Sequence, residues 1–273
     1  MSTIHTKSDP SRLAAWTRFL AAAFTSNLKA VLEYRANFLL QVFGMMLNNA
    51  AFALFWGVLI ARTGGVGGYG FSDIMLVWAL VSTSFGVAHV LFGNMRSLSS
   101  MIQKGELDVY LLQPKNVFVN VLVSRTIVSA WGDLAYGYIV LALLPGLGLG
   151  HLLLFTGLAL TGAVIIASAF SMSESLAFFL GDSSSVSGSM AEFLLSFSLY
   201  PEKIYGPELR WLFYSLFPSG FIAFVPLAAL KALSWVHLPL LAGVALLYAL
   251  AAFALFKRGL RRYESGNQMG TRL

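Results

Sequence analysis

The sequence predicts an all-α polytopic membrane protein: six transmembrane helices, preceded by an N-terminal interfacial helix and carrying an outer re-entrant hairpin. Three observations predict it. Residues of the AVILMFWYC set make up 58% of the 273 positions and charged residues only 11%, against ~25% charged in soluble chains. The apolar residues come in runs of about 20, the length that crosses a ~30 Å hydrocarbon core. The Lys and Arg residues gather in the connections between those runs, where they orient a chain in the membrane and meet anionic head groups. An ordinary soluble globule is excluded, because so few charges could not cover its surface.

Taken in chain order, the first element is an amphipathic helix over 11 to 35. Leu13, Trp16, Leu20, Phe24, Leu28 and Val31 share one face, and Arg12, Arg18, Thr25, Lys29 and Glu33 the other. A stripe flanked by Trp and cations suits a helix lying in the interface plane. The stretch Met1 to Arg35 lacks a short apolar core followed by a small-residue cleavage site, so no cleaved leader is expected.

Apolar spans then run from about Phe38 to Ala61, Ile74 to Phe92, Val117 to Leu144, His151 to Leu180, Val186 to Tyr200 and His237 to Phe256. Between the last two lies Pro201 to Trp235, apolar but broken by Gly206, Pro207, Pro218, Gly220 and Pro226. An interrupted segment of this kind dips into the membrane edge and returns, since its backbone groups must be satisfied within protein. This divides the chain into an N-terminal region 1–37, a transmembrane domain 38–256 and a basic tail 257–273. No inverted repeat or heptad pattern is present.

With the N-terminus in the cytoplasm, the inside segments carry Lys7, Arg12, Arg18, Lys29, Arg35, Arg96, Lys104, Lys115, Lys257, Arg258, Arg261, Arg262 and Arg272, and the outside segments only Arg62, Lys203, Arg210 and Lys231. Both termini are therefore placed in the cytoplasm, and the Gly-rich links 63–70 and 146–150 and the hairpin outside.

Enzyme chemistry finds no foothold. No phosphate-binding loop, HExxH or GxSxG motif occurs, there is no cysteine, and His5, His89, His151 and His237 lie far apart. No catalytic residue and no metal site is expected. Four ionisable residues do fall inside spans, Arg125, Asp133, Glu174 and Glu192, and each is costly there. Arg125 and Glu174 sit at similar depths on consecutive spans. They read as a proton or substrate relay or, with more weight, as an ion pair holding two helices together. Asp133 is too far along its helix to share Arg125, and faces a cavity or a partner subunit; Glu192 poses the same question.

The connection from Asn94 to Asn116 is the most informative segment. Leu98, Met101 and Ile102 form a short apolar face, Gly105 is placed to cap a helix C-terminus and Pro114 stops any helix that continues beyond it. Glu106 and Asp108 flank Leu107 on a face that is otherwise basic. Carboxylates are repelled by anionic lipid, so this segment, with Tyr110 behind it, suits a protein partner.

Here the chain resembles the membrane subunits of ATP-binding-cassette exporters of the ABC-2 type, in particular bacterial permeases. The resemblance rests on Gly105, Glu106, Leu107, Asp108, Tyr110, Leu111, Leu112, Pro114 and Asn116, with Gln113 where relatives often have a basic residue. It rests also on the outer segment Tyr200-Pro201, Ile204-Tyr205, Phe217-Pro218, Phe221-Ile222-Ala223 and Val225-Pro226. What it implies is a permease in the bacterial cytoplasmic membrane whose segment 94–116 is a coupling helix. That helix would dock in a groove of a separate ATPase subunit through Leu98, Met101, Ile102, Gly105, Glu106, Leu107, Asp108 and Tyr110. It also implies a second permease, of the same or a homologous chain, membrane lipids as partners and no nucleic acid. The chain itself would hold no cofactor; ATP and magnesium would lie on the partner. The expected function is export of an amphipathic or lipidic solute. The rival is a proton-coupled secondary transporter using Asp133, Glu174 and Glu192, disfavoured because such folds show internal repeats and a helix broken at the midplane.

Overall fold

The structure is a computed structural model that describes residues 10–181 and 184–263. The readings on Lys7, His5 and Arg272, and on the side chains of Arg12 and Leu13, lie outside the described residues. The N-terminal helix α1 spans Pro10–Glu33. A break at Tyr34 leads into α2, Arg35–Thr63, which ends on Gly64 in the left-handed conformation (φ 75°), its N–H bonded to the Ile60 carbonyl. A tight turn bridged between Val66 and Tyr69 returns the chain into α3, Phe71–Leu91, where the Asp73 carboxylate accepts from the Gly70 N–H at 3.1 Å.

Helix α3 is the hub. Residues Ile74 to Ser84 are buried without interruption, which explains why this helix reads as apolar all round instead of striped. In a membrane, helices gain little from burying apolar surface and associate by close packing, so small residues mark the seams. Gly86 and Gly137 do this between α3 and α7 (Ala130–Leu143). A Cβ on Gly86 would lie 2.6 Å from the Leu134 nitrogen, and one on Gly137 2.7 Å from the Ala79 carbonyl.

Beyond α3 a 3-10 turn, Gly93–Ser97, leads to α4, Leu98–Lys104, and α5, Asp108–Leu111. The third predicted span is not one helix. It consists of α6, Val117–Val123, capped by the Asn116 side chain on the Val119 N–H, then an irregular stretch 124–129, then α7. The stretch packs under the end of α3, where the Ile127 N–H donates to the His89 carbonyl at 3.1 Å and Gly93 lets the Arg125 backbone approach. The freed Ile127 N–H is thus satisfied inside protein.

Helix α8, Leu149–Ser175, continues almost directly into α9, Ala177–Leu180. Next is α10, Ser184–Leu199, with 16 residues, or ~24 Å at 1.5 Å per residue. The final helix is α13, His237–Leu260. Among the described residues four helical stretches are long and apolar enough to cross a membrane: α2, α3, α8 with α9, and α13. The fold is all-α and polytopic, with the third expected span broken and the fifth short.

Between α10 and α13 the chain forms short turns at Glu202–Ile204, α11 (Pro207–Arg210) and Trp211–Tyr214, then a π-helical turn Gly220–Phe224 running into α12, Val225–Lys231. This hairpin begins beside the 63–70 link, with Pro201 and Lys203 against Gly67. It ends there too, where Lys231 Nζ meets Asp73 Oδ1 at 2.5 Å. Its middle does more than skirt an edge. The Tyr248 hydroxyl, halfway along α13, donates to the Ser215 carbonyl at 2.5 Å, and Ile222 lies against Gly162, midway along α8. The expectation of a shallow dip is corrected: an aromatic cluster of Phe213, Phe217 and Phe224 with Phe193 and Phe197 of α10 carries the hairpin to mid-bundle.

Candidate functional site

Residues 94–116 form the candidate site, at the end of the bundle opposite the 63–70 link. The local sequence folds as its pattern requires. Gly105 takes the left-handed conformation (φ 75°) and its N–H returns to the Ile102 and Met101 carbonyls, ending α4. The turn it makes sets α5 at an angle to α4, and Pro114 comes two residues after the α5 C-cap.

The apolar face of this segment points inward. Leu98, Met101, Ile102 and Leu107 are all buried within the chain's own interior. This corrects the expectation that they enter a partner's groove: a short amphipathic helix at the end of a bundle first covers the bundle, and its apolar face is consumed there. The outward residues are Lys104, Glu106, Val109, Leu111 and Leu112. Val109 is 64% exposed and Leu112 88%. Tyr110 is half-buried, its hydroxyl donating to Ser124 Oγ at 3.1 Å, and Asp108 is half-buried beside Tyr263. Burial first, and then the Asp108 carboxylate, pushes the Tyr263 phenol up to about 12, so it stays protonated at neutral pH.

Three tethers join the segment to the spans. Glu174, near the end of α8, accepts from the Ser99 N–H at 3.0 Å, in the first turn of α4. A carboxylate there satisfies an orphan donor and complements the helix dipole. The Asn94 amide and the Tyr110 hydroxyl both donate to Ser124 Oγ, where the third span breaks. Gln103 reaches the Gly181 carbonyl at 3.4 Å. Arg96, exposed, stacks its guanidinium 5.8 Å from the Phe170 ring centroid and is the positive charge acting on Glu174.

The predicted Arg125–Glu174 ion pair is absent; among the described residues the ion pair found is Lys231–Asp73. The depth argument assumed a continuous third helix. Because the chain leaves helical geometry at Ser124, Arg125 turns out to an exposed position instead of projecting into the bundle.

The other intramembrane carboxylates are engaged separately. Asp133, 6% exposed, accepts at Oδ1 from the Asn49 amide at 2.8 Å, and Asn49 Oδ1 accepts from the Trp78 indole at 3.0 Å. Ser82 Oγ donates to the Asp133 backbone carbonyl. Among the described residues, Asp133 Oδ2 has no partner. The structure thus joins α2, α3 and α7 through a polar cluster, in place of a cavity or subunit contact at Asp133. Asn49, Trp78 and Ser82 were missed from the sequence, although an amide in the middle of an apolar run was the available signal. Glu192 is exposed on α10. No contact among the described residues joins any two of Asp133, Glu174 and Glu192.

A bundle of long apolar helices around a buried hub, with an amphipathic segment tethered at one end and a re-entrant hairpin at the other, defines a multi-pass helical membrane protein. Residues 46–267 match the family described as ABC-2 family transporter protein, and the chain belongs to that family. It is accordingly a permease subunit of an ATP-binding-cassette transporter, the transport subunit and not the ATPase, and the family implies an ATP-binding-cassette ATPase subunit as its partner. Neither a curated protein nor a solved structure matches the chain.

Proposed function

We propose that this permease exports an amphipathic or lipidic solute, driven by ATP hydrolysis on a separate ATPase subunit that docks on the outward face of residues 104–112. ATP and magnesium belong to that subunit. The observation that carries the reading is the tethered segment itself. Its apolar side is buried, its outward side presents Glu106, Val109, Leu111 and Leu112, and its hydrogen bonds run to α8 and to the broken third span. A push on the outward face would reach two spans at once. The orientation from the Lys and Arg distribution puts this face in the cytoplasm, with both termini, and the hairpin outside, in a bacterial cytoplasmic membrane.

A second permease completes the assembly. Glu192 is exposed on a span, and an ionisable side chain within a membrane is covered by protein or lines water. The solute path lies where the two permeases, of the same or a homologous chain, meet.

A proton-coupled mechanism has less support. Asp133 and Glu174 are engaged in different contacts and Glu192 is exposed, although the broken third span and the deep hairpin remove one sequence argument against it. Reconstituted vesicles containing permease and ATPase decide between them. Export of a lipidic reporter stops when the ATPase is omitted and continues with a proton ionophore; the reverse pattern overturns the proposal.

A further inference from the structure

A cleft of about 560 Å³ opens where α1 passes the end of the 94–116 segment, lined chiefly by Trp16, Phe19, Gln113, Pro114, Lys115 and Asn116. Its chemistry is one-sided. The Lys115 ammonium stands 4.1 Å from the centroid of the Phe19 ring, and Trp16 meets the same ring edge-on at 6.0 Å. Phe19 therefore holds a cation in place on its π face. Among the described residues no carboxylate lines the cleft and none pairs with Lys115.

The polar groups around Lys115 are donors. Asn116 spends its side-chain oxygen on the Val119 N–H, which leaves its amide hydrogens to the cleft. Gln113 is closed at both ends, donating to the Val109 carbonyl and accepting from Asn120, so it shapes the wall without competing. Trp16 brings an indole N–H, and is itself partly exposed. Next to the cleft Leu20 and Phe24 are exposed along α1, forming an apolar lane that begins where the cation ends.

A fixed cation with neutral donors at one end and an apolar lane at the other is complementary to a phosphate ester carrying an acyl chain. We propose that this cleft binds the head group of an anionic phospholipid, with Lys115 on the phosphate, Trp16 and Asn116 as supporting donors, and an acyl chain laid along Leu20 and Phe24. The bound lipid bridges α1 to residues 113–116, which the Gln113–Asn120 bond connects to α6, so the anionic lipid content of the leaflet bears on the position of the tethered segment. The inference needs only the membrane location that the family establishes, and stands whether or not residues 104–112 dock an ATPase.

The test uses the full chain in phosphatidylcholine nanodiscs, with brominated phosphatidylglycerol or brominated phosphatidylcholine as quencher. The Trp16 contribution is taken as the difference between wild type and Trp16→Phe. Wild type shows about fivefold preferential quenching by the anionic lipid, the selectivity of one interfacial lysine for an anionic leaflet. Lys115→Gln brings the preference to parity, Lys115→Arg keeps it, and Lys29→Gln, on the same helix as Trp16 but outside the cleft, leaves it unchanged. Equal quenching by both lipids in the wild type overturns the proposal even if Lys115→Gln cannot be purified, and so does a preference that survives Lys115→Gln. A preference abolished by millimolar inorganic phosphate at constant ionic strength makes this a soluble-phosphate site and overturns the lipid assignment.

Discussion

Glu174 has a different partner from the one its sequence neighbours suggest, and the difference is measurable. Its carboxylate caps the first turn of α4 at Ser99, so Glu174→Ala leaves an unsatisfied helix donor and lowers stability by about 1–2 kcal/mol. Glu174→Gln keeps an acceptor and costs about half of that. Arg125→Gln, at an exposed position in the break, stays within ~0.5 kcal/mol of wild type. Thermal unfolding in detergent checks all three, and an Arg125 variant as damaging as Glu174→Ala restores the ion-pair reading. In the Asp133 cluster, Asn49→Leu removes the donor that serves Oδ1. It destabilises by about 1–3 kcal/mol, the cost of leaving a buried polar group without its partner. The double change Asn49→Leu with Asp133→Leu costs less than Asn49→Leu alone, because the Asp133 carboxyl group is then no longer stranded, while the Trp78 indole loses its acceptor in both. A double variant at least as unstable as the single one rejects this account of the cluster.

At the scale of elements, α4 and α5 divide their side chains between two jobs. The inward residues hold the segment to the bundle and the outward ones are free to meet a partner. Leu98→Ala therefore destabilises the isolated permease by about 2–5 kcal/mol through the cavity it leaves. Leu112→Ala, at a site 88% exposed, leaves the isolated permease unchanged and reduces copurification of the ATPase subunit, as loss of an interface anchor does. Reversing Glu106 to Lys weakens assembly further by placing like charges together if the ATPase groove is basic. Copurified ATPase per permease, with ATP turnover of each complex, distinguishes the classes. Retention of full assembly in a Val109→Asp, Leu112→Asp variant shows that the ATPase binds elsewhere.

For the molecule as a whole, the hairpin and the 63–70 link share one end and the tethered segment occupies the other. The native chain has no cysteine, so single cysteines report topology directly. One at Glu208, on α11, reacts with a membrane-impermeant thiol reagent in intact cells, and one at Lys104 reacts only once the membrane is opened. The opposite pattern inverts the orientation without altering the fold. At the hairpin end, Lys231 and Asp73 form the described ion pair with side chains 53% and 17% exposed. Solvent screens such a pair, so Lys231→Gln costs under about 1 kcal/mol. The aromatic cluster under the hairpin, with Tyr248 on Ser215, is the larger contributor to its position. Tyr214 donates to Glu202 at 3.3 Å, and burial, then that carboxylate, pushes its phenol up to about 12, so the bond persists throughout the neutral range.

Whatever depends on composition along a line could be read from the order of the amino acids. Runs of apolar residues locate α2, α3, α8 and α13, because a bilayer demands a certain length of uninterrupted hydrocarbon. The motif from Gly105 to Asn116 announced the family, and the left-handed turn at Gly105 came from the freedom of that residue. Whatever depends on which surfaces meet emerged only from the packing of the folded chain. An apolar stripe such as Leu98, Met101 and Ile102 carries no label saying whether it covers its own bundle or another protein's groove, and only packing against α8 and its neighbours resolves that. The break at 124–129 was missed because no Gly or Pro marks it, although Ser124, Arg125, Thr126 and Ser129 interrupt the apolar run; the chain departs from helical geometry there where His89, near the end of α3, supplies a replacement hydrogen-bond acceptor. The Arg125–Glu174 reading failed for a related reason. Partnership inside a membrane is set by which backbone or amide group stands within hydrogen-bond reach, and distance along the chain reports that only while the helix stays unbroken.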